Sequence, residues 1–263
     1  MPIVTDPLFY ALAVPAVLAL GLSKGGLAGV GQMALPLLAL VMPPLEAAAI
    51  MLPIMIAQDL FAVWVYRKDW DKRILAIMIP GAAIGIMAAW ALAAHISDAM
   101  VRIFIAVITL VFVAYNFVGP KRVAKEADKD FGKIRKPTVT GGAFWGALSG
   151  FSSTICQAGG PPYQIYVLRL KLAKMVFVST NIYFFAAMNW IKVVPYAGLG
   201  LFTTRNLVTS LALLPLALAF NQLGFWVVRR LPEKMFFRIL MVLMVLVSLE
   251  LLRSGITDLL RGA

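Results

Sequence analysis

Long apolar stretches follow one another along this chain, separated by short polar turns. A helix needs roughly 20 apolar residues to cross a bilayer core about 30 Å thick. Three stretches in each half reach that length, whereas the first two stretches of each half are shorter and are interrupted by Gly and Pro. The pattern therefore predicts helical segments at residues 7–22, 27–42, 45–66, 74–94, 99–118, 138–154, 160–168, 174–198, 205–228 and 235–253.

The two halves of the chain repeat one arrangement of Gly, Pro and polar positions. The matched pairs are Gly21 with Gly146, Gly25 with Gly150, Gln32 with Gln157, Pro36 with Pro161, Asp59 with Asn189, Pro80 with Pro215 and Arg102 with Arg238. Each half contains an odd number of membrane crossings, whether its short segments span the membrane or only enter it. Such a unit, placed twice in tandem, is inverted in the membrane, which is an architecture of secondary transporters.

The predicted fold class is an all-α membrane protein, a polytopic helical bundle built from two inverted-topology repeats with Gly/Pro-broken helices. We expect a first membrane repeat at residues 1–119, a basic linker at 120–137 and a second membrane repeat at 138–263. The pattern leaves open whether the broken segments span the membrane or are re-entrant.

Composition excludes a water-soluble fold. Apolar residues make up 62% of the chain and charged residues 14%, and the mean hydropathy is +0.89. Soluble domains contain about 45–50% apolar and about 25% charged residues. The net charge of +12 would suggest nucleic acid as the partner of a soluble protein. In a membrane protein it indicates basic cytoplasmic loops, so we expect membrane lipid and no nucleic acid as a partner.

The basic residues predict the orientation of the chain. If the chain alternates sides, seventeen of them fall on one face and three on the other, and the positive-inside rule places the seventeen in the cytoplasm. Both termini are then periplasmic and the linker is cytoplasmic. The three on the outer face are Arg205, Arg253 and Arg261. Aromatic residues near span ends, which we expect at the membrane interface, are Trp64, Trp70, Trp190, Tyr196 and Trp226.

The two glycine-rich breaks are the candidate binding site. Glycine allows the backbone to unwind, and freed N–H and C=O groups are tolerated in a membrane only around a cavity or inside protein. A broken helix also directs a partly positive N-terminus inward, which favours anions. The alternative is that the glycines only permit close helix packing. The candidate substrate-binding residues are Ser23, Lys24, Gly25, Gly29, Gln32, Ser152, Ser153, Thr154, Gln157, Gly159, Gly160, Asn189, Lys192 and Tyr196.

Three charged residues within the apolar segments have more than one interpretation. Lys24 and Lys192 each either neutralise an anionic substrate or extend to the membrane surface. Asp59 either carries a coupling proton or pairs with one of these lysines. Its repeat counterpart, Asn189, is uncharged, so any proton role is asymmetric. For Arg102 and Arg238, near span ends, extension to the surface is the expectation.

Enzyme chemistry and metal binding are not expected. The chain has one Cys, Cys156, and one His, His95, which are too few for a disulfide or the usual zinc site. We expect Cys156 to be a packing residue and His95 to lie in a solvated loop. The sequence contains neither HExxH nor GxSxG, and a strand and acidic partner for a dinucleotide loop are also lacking. No cofactor is expected.

The second half carries a pattern that resembles a known family. It consists of Ala158 to Tyr166, Phe177 to Thr180, Asn189 to Tyr196 and Gly198 to Phe202, with a weaker match around Pro80 in the first half. The chain resembles the TauE/SafE sulfite-exporter-like transporters over almost its whole length. The resemblance implies a duplicated inner-membrane carrier of small anions such as sulfite, sulfoacetate or related organosulfonates, and for some members other organic anions.

We therefore expect a secondary transporter that moves a small, sulfur-containing anion across the bacterial inner membrane, coupled to protons or to the membrane potential. The alternatives are an anion channel and a carrier of another organic anion such as a carboxylate. A membrane enzyme or assembly factor would need a catalytic cluster that the sequence lacks. The sequence leaves open the substrate, the direction, the coupling ion and the assembly state, although apolar faces permit a homodimer.

Overall fold

The computed structural model describes residues 3–24, 30–93, 95–129, 137–228 and 233–261. All regular secondary structure in these ranges is helical. Two short 3-10 segments, Val30–Met33 and Leu168–Leu170, accompany the α-helices. The α-helices are α1 (Pro7–Lys24), α2 (Ala34–Ala39), α3 (Pro44–Val65), α4 (Lys72–Ala93), α5 (Asp98–Lys129), α6 (Val139–Cys156), α7 (Gly160–Val167), α8 (Lys174–Gly198), α9 (Thr204–Val228) and α10 (Glu233–Leu260).

Nine of the ten predicted apolar segments coincide closely with one of these helices, and the all-α prediction is confirmed for the described residues. The described part of the predicted segment 27–42 is instead the 3-10 segment Val30–Met33 followed by the short helix α2. The main difference is at the linker, because α5 continues to Lys129 and takes up the first part of the range 120–137. The reason is composition: the stretch Val123–Lys129 consists mainly of Ala, Lys and Glu, which favour a helix even in polar surroundings. Apolar patterning locates the membrane part of such a helix but not its polar extension.

Pairs of helices approach each other closely at glycine residues, which have no side chain to keep the backbones apart. α4 packs on α6, and a Cβ added at Gly81, Gly85 or Gly150 would collide with a backbone carbonyl of the other helix. α1 packs on α9, where a Cβ at Gly21 would lie 2.6 Å from the carbonyl carbon of Phe220. At these positions the close-packing interpretation of the glycines is confirmed, since only glycine lets the two backbones touch.

The second broken segment forms a hairpin. α6 and α7 pack on each other, and the Tyr166 hydroxyl near the end of α7 donates a hydrogen bond of 2.9 Å to the Thr138 carbonyl, just before α6. The start of α6 and the end of α7 are therefore close together. The turn between them, residues 157–159, is the tip of the hairpin.

The outward faces of the helices are apolar. Large hydrophobic side chains such as Trp64, Ile84, Val111, Val194 and Leu211 are exposed along them. Among the described residues, α3 and α4 are the two helices long and apolar enough to cross a membrane. These exposed rows are the surface expected where lipid is the solvent.

Several single-residue predictions change in the structure. Tyr196, predicted to lie at the interface, is completely buried because its hydroxyl finds a partner inside the bundle. Arg102, predicted to extend to the surface, forms an ion pair of 2.6 Å with Asp258 between α5 and α10. The Tyr196 prediction was wrong because a carbonyl inside the bundle competes with the membrane interface, and sequence spacing does not reveal that partner. Arg102 and Asp258 are both only partly buried, so at Arg102 the prediction missed the ion pair rather than the exposure. Cys156 is buried, as predicted. The side chains of Trp226 and Arg238 lie outside the described residues.

Candidate functional site

The tip of the α6–α7 hairpin is stabilised by serine hydroxyls. Gln157 ends α6 in the left-handed conformation, with φ of 53°, and so turns the chain out of the helix. The Ser149 hydroxyl donates a hydrogen bond of 2.6 Å to the Gly159 carbonyl, and the Ser152 hydroxyl lies 3.1 Å from the Ala158 carbonyl. The Ser149 hydroxyl thereby gives the Gly159 carbonyl a short hydrogen bond at the helix break, where the same carbonyl also accepts a longer one of 3.4 Å from the Tyr163 N–H.

Lys192 of α8 points into this tip. It is completely buried, and its Nζ donates hydrogen bonds to Ser153 Oγ at 3.2 Å and to Gln157 Oε1 at 3.0 Å. Of the two interpretations from sequence, extension to the membrane surface is therefore excluded. The ammonium group also lies at the C-terminal end of α6, where the helix dipole favours a positive charge.

Asn189, Lys192 and Tyr196 form one polar face of α8, because residues three and seven positions apart lie on the same side of a helix. The Asn189 amide donates a hydrogen bond of 2.6 Å to Asp59 Oδ2 on α3. The Tyr196 hydroxyl donates one of 2.8 Å to the Thr154 carbonyl on α6. This face of α8 therefore connects α3 with the tip of the hairpin.

The first break reaches the second through Gln32. A Cβ added at Gly160, the first residue of α7, would lie 2.9 Å from Gln32 Nε2, so the glutamine amide lies directly on the α7 backbone. Ser23 lies beside the same 3-10 segment, since a Cβ at Gly31 would lie 3.1 Å from Ser23 Oγ. The structure thus brings Gln32 to the second break, as the sequence prediction of a shared site requires.

Comparison with known proteins identifies the family. The family model of the sulfite exporter TauE/SafE proteins matches residues 13–251. The chain belongs to this family. Searches of curated proteins and of solved structures found no match. The resemblance drawn from the second-half pattern is confirmed, and the match spans both breaks, Asp59 and Lys192. As a TauE/SafE protein, the chain belongs to a family of membrane transport proteins.

The hydroxyl groups of the TauE/SafE hairpin are largely engaged with backbone. Ser152 Oγ and Thr154 Oγ1 each lie 2.8 Å from a carbonyl four residues earlier, Leu148 and Gly150. Each hydroxyl has one proton to donate, so these two donors are occupied in this arrangement. Their predicted role in substrate binding stays a prediction, and a substrate would have to compete with the backbone for them.

Gln157 is a predicted site residue whose side-chain amide N–H groups are available for a further hydrogen bond. Its Oε1 accepts from Lys192, while its Nε2 is buried and has no hydrogen-bond partner among the described residues. A buried amide N–H group that lacks a partner costs about 1–3 kcal/mol. Pro161 and Pro162 have no N–H groups, so the first turn of α7 offers fewer backbone donors than an ordinary helix. The side-chain amide is therefore the stronger candidate for contact with an anion.

Other predicted residues lie outside the described residues. The side chain of Lys24 and the whole of Gly25 and Gly29 belong to this group, and their predicted roles stay predictions. Among the described side chains, Asp59 and Lys192 are the charged ones that are fully buried. A buried acid and a buried base on facing helices are costly in a membrane, which makes this region the candidate functional site.

Sequence reasoning missed a second polar contact beside Asp59. Gln58 donates a hydrogen bond of 2.9 Å to Asn221 Oδ1 on α9, and both side chains are buried. The Oε1 atom of Gln58 has no partner among the described residues. The sequence did contain a signal for this contact, namely a carboxamide side chain in each of two apolar segments, Gln58 and Asn221. Such groups are stable in a membrane only when they have a hydrogen-bond partner, so they could have been predicted to pair.

Proposed function

We propose that this chain is a secondary transporter that binds a small anion at the tip of the α6–α7 hairpin. The proposed substrate is sulfite or an organosulfonate such as sulfoacetate, carried across the bacterial inner membrane without ATP. The observation that supports the proposal is the completely buried Lys192, whose Nζ lies 3.0 Å from Gln157 Oε1 in a chain of the TauE/SafE family. A buried cation beside an amide donor without a partner favours an anion of one or two charges.

In this proposal Gln157 makes the direct contact and Lys192 both orients it and supplies charge. The ammonium group holds the amide oxygen, so the NH₂ group is directed away from the lysine. Oxygen atoms of an anion can accept the amide protons there while remaining within Coulomb range of Nζ. Gln32, the repeat counterpart of Gln157, brings a second amide to the same region from the first break.

The helix packing supports two inverted repeats, residues 1–119 and 138–263. The repeat match pairs α1 with α6, α4 with α9 and α3 with α8. In the structure α1 packs on α9 and α6 packs on α4, while α3 packs on α9 and α8 packs on α4. Exchanging the repeats converts each contact into its counterpart, which is the relation that a twofold axis would produce. The Tyr166–Thr138 contact further supports a re-entrant hairpin rather than a spanning segment.

A transport assay tests this function. The purified protein in proteoliposomes is loaded with unlabelled anion and tested for counterflow of sulfite, sulfoacetate, taurine, sulfate and acetate, with protein-free liposomes as control. We expect saturable counterflow of sulfite or a sulfonate. Counterflow of acetate alone would replace the substrate class with a carboxylate. Single-channel currents without counterflow would identify a channel and contradict the carrier.

We further propose that the basic loops are cytoplasmic and both termini periplasmic. The α3–α4 loop and the start of α8 share one side, because the Asp71 N–H donates to Thr180 Oγ1 at 2.9 Å. Cysteine introduced at Lys68 or Arg253, in a Cys156→Ala background, tests the orientation. We expect an impermeant maleimide to label intact cells at position 253 and to label position 68 only after permeabilisation. The reverse pattern would overturn the orientation.

A further inference from the structure

Asp59 and Asn189 occupy matched positions in the two repeats, and they touch. The Asn189 amide nitrogen lies 2.6 Å from Asp59 Oδ2, and both side chains are buried. Positions related by a twofold axis can contact each other only close to that axis. If the repeats are inverted, as proposed above, the Asp59–Asn189 pair therefore lies where the axis crosses the bundle.

A group on this axis has a special place in a carrier. Alternating access exchanges the conformations of the two repeats, so the outward-open and inward-open states are related by the same axis. A residue far from the axis changes its surroundings between the two states. Two matched residues that touch on the axis keep their mutual contact in both states, and a group there can face either side in turn, which is what the binding site of a coupling ion requires.

We propose that Asp59 is the proton-binding site of this carrier, held on the axis by Asn189, and that one proton is carried together with each monovalent anion. This inference rests on the proposed function. The Asp59 carboxylate takes up one proton from the side to which the site is open and becomes a neutral carboxylic acid. It releases that proton to the opposite side after the conformational change. Asn189 can continue to donate to Oδ2 in both forms, because a protonated carboxyl group keeps acceptor capacity.

Charge balance gives the direction of coupling. Lys192 lies one helical turn after Asn189 on the same face of α8, so a bound anion near Lys192 and the Asp59 carboxylate would be two negative charges in the same buried region. Neutralising Asp59 by a proton removes that repulsion and leaves the loaded site with the same net charge as the empty one. Anion and proton then favour each other's binding by the same factor, which makes the carrier a symporter.

Several charged and titratable groups lie on the helices around α3 in the described part of the chain. On the face of α8 that carries Asn189 they are Lys192 and Tyr196, while Asn221 of α9, which contacts the neighbouring Gln58, is uncharged. The charged side chains of α5 and α9 that the structure describes lie near the starts of those helices, and α1 ends at Lys24, whose side chain lies outside the described residues. The groups to be considered are Lys24, Asp98, Arg102, Lys192, Tyr196 and Arg205.

The test combines Asp59→Asn with the exchange variant D59N/N189D. Sulfite-driven proton movement into proteoliposomes is followed with a trapped pH dye, and anion exchange is measured in parallel. We expect wild type to move protons with the anion and to speed up by as much as about tenfold per unit of acidification, as a single-proton step does. We expect D59N to exchange anion without moving protons. The exchange variant should recover proton movement, because it returns a carboxyl group to the axis from the other repeat.

The possible negative results of this test distinguish failure of the proton-binding assignment from failure of the proposed function. Unchanged proton movement in D59N would overturn the inference, and so would normal anion exchange without proton movement in wild type. An exchange variant that exchanges anion but stays uncoupled would show that Asp59 acts only in its own structural context and would also overturn it. If wild type exchanges no anion at all, the proposed function fails, and the inference fails with it.

A second measurement does not depend on the folding of any variant. Methanesulfonate, a monovalent sulfonate that unlike sulfite does not itself bind or release protons near neutral pH, is added to purified wild-type protein in weakly buffered detergent solution, and the pH is recorded. We expect protons to be taken up as the anion binds, approaching one per site. Methanesulfonate binding without proton uptake would refute the coupling while leaving the anion site intact.

Discussion

Replacing Lys192 with methionine removes the buried positive charge and keeps the length of the side chain. The structure predicts how much anion affinity this costs. Nζ lies 3.0 Å from Gln157 Oε1, and an anion bound by the amide NH₂ group of the same side chain would lie roughly 6 Å from Nζ. At an effective dielectric constant of about 20, two unit charges at that distance attract each other by about 3 kcal/mol. The expected loss is therefore about a hundredfold in affinity.

The magnitude also separates two modes of binding. If the anion instead displaced Gln157 and bonded directly to Nζ at about 3 Å, the same calculation gives about 5.5 kcal/mol, or a loss of about ten-thousandfold. Lys192→Arg distinguishes the modes further. It keeps the charge but changes the contact with Gln157, so it should retain most of the Coulomb attraction and lose the orientation of the amide.

Isothermal titration of the purified protein with sulfite and sulfoacetate measures these affinities. Lys68→Met is the matched control, because it makes the same chemical change at an exposed lysine of the α3–α4 loop. Thermal unfolding of each variant shows whether it is folded at the titration temperature. A folded Lys192→Met protein that binds its anion within about threefold of wild type would refute the assignment of Lys192 to the site.

Three further changes test the packing, each through the free energy of unfolding in detergent. Gly85→Leu should lower the free energy of unfolding by about 3 kcal/mol, because α4 cannot keep its contact with α6. Its control, Ala88→Leu on the exposed face of α4, should change the free energy of unfolding little, and equal effects of the two variants would contradict the contact. Tyr196→Phe should cost about 1 kcal/mol for the lost hydrogen bond, and no change would mean that water replaces it. Arg102→Asp should destabilise by about 1 kcal/mol, and adding Asp258→Arg should restore it; the absence of rescue would exclude the ion pair.

The sequence was sufficient to predict the helices and the location of the second helix break, although it left open whether that segment is a hairpin. The length of an apolar stretch shows whether it can cross a lipid bilayer, and glycine and proline show where a helix cannot continue. The positions of α6 and α7 could therefore be predicted from residues 138–168 alone. Lys192 could likewise be predicted as a site residue, since a lysine within a membrane segment is energetically costly and is usually functional.

The partners of these residues could not be predicted in the same way. Nothing about Tyr196 distinguishes an interfacial tyrosine from a buried one until the Thr154 carbonyl is known to lie 2.8 Å away. Ser149 looks like any small residue in an apolar helix, yet its hydroxyl bridges the helix break to Gly159. Such contacts depend on three-dimensional proximity between segments, which periodicity along one segment does not encode.

The contact between α1 and α9 has a consequence for how the chain is made. Synthesis from the N-terminus delivers α1 to the membrane first, whereas α9 begins only at Thr204. The contact of Gly21 with the Phe220 backbone can therefore form only after α9 has been made. The contact of α6 with α4 can form as soon as α6 is inserted, because α4 precedes it in the chain. During that interval lipid or an insertion factor must cover the small-residue face of α1. A ribosome that stalls before Thr204 would thus leave the face of α1 around Gly21 without its native partner, although α1 is the first helix to be made.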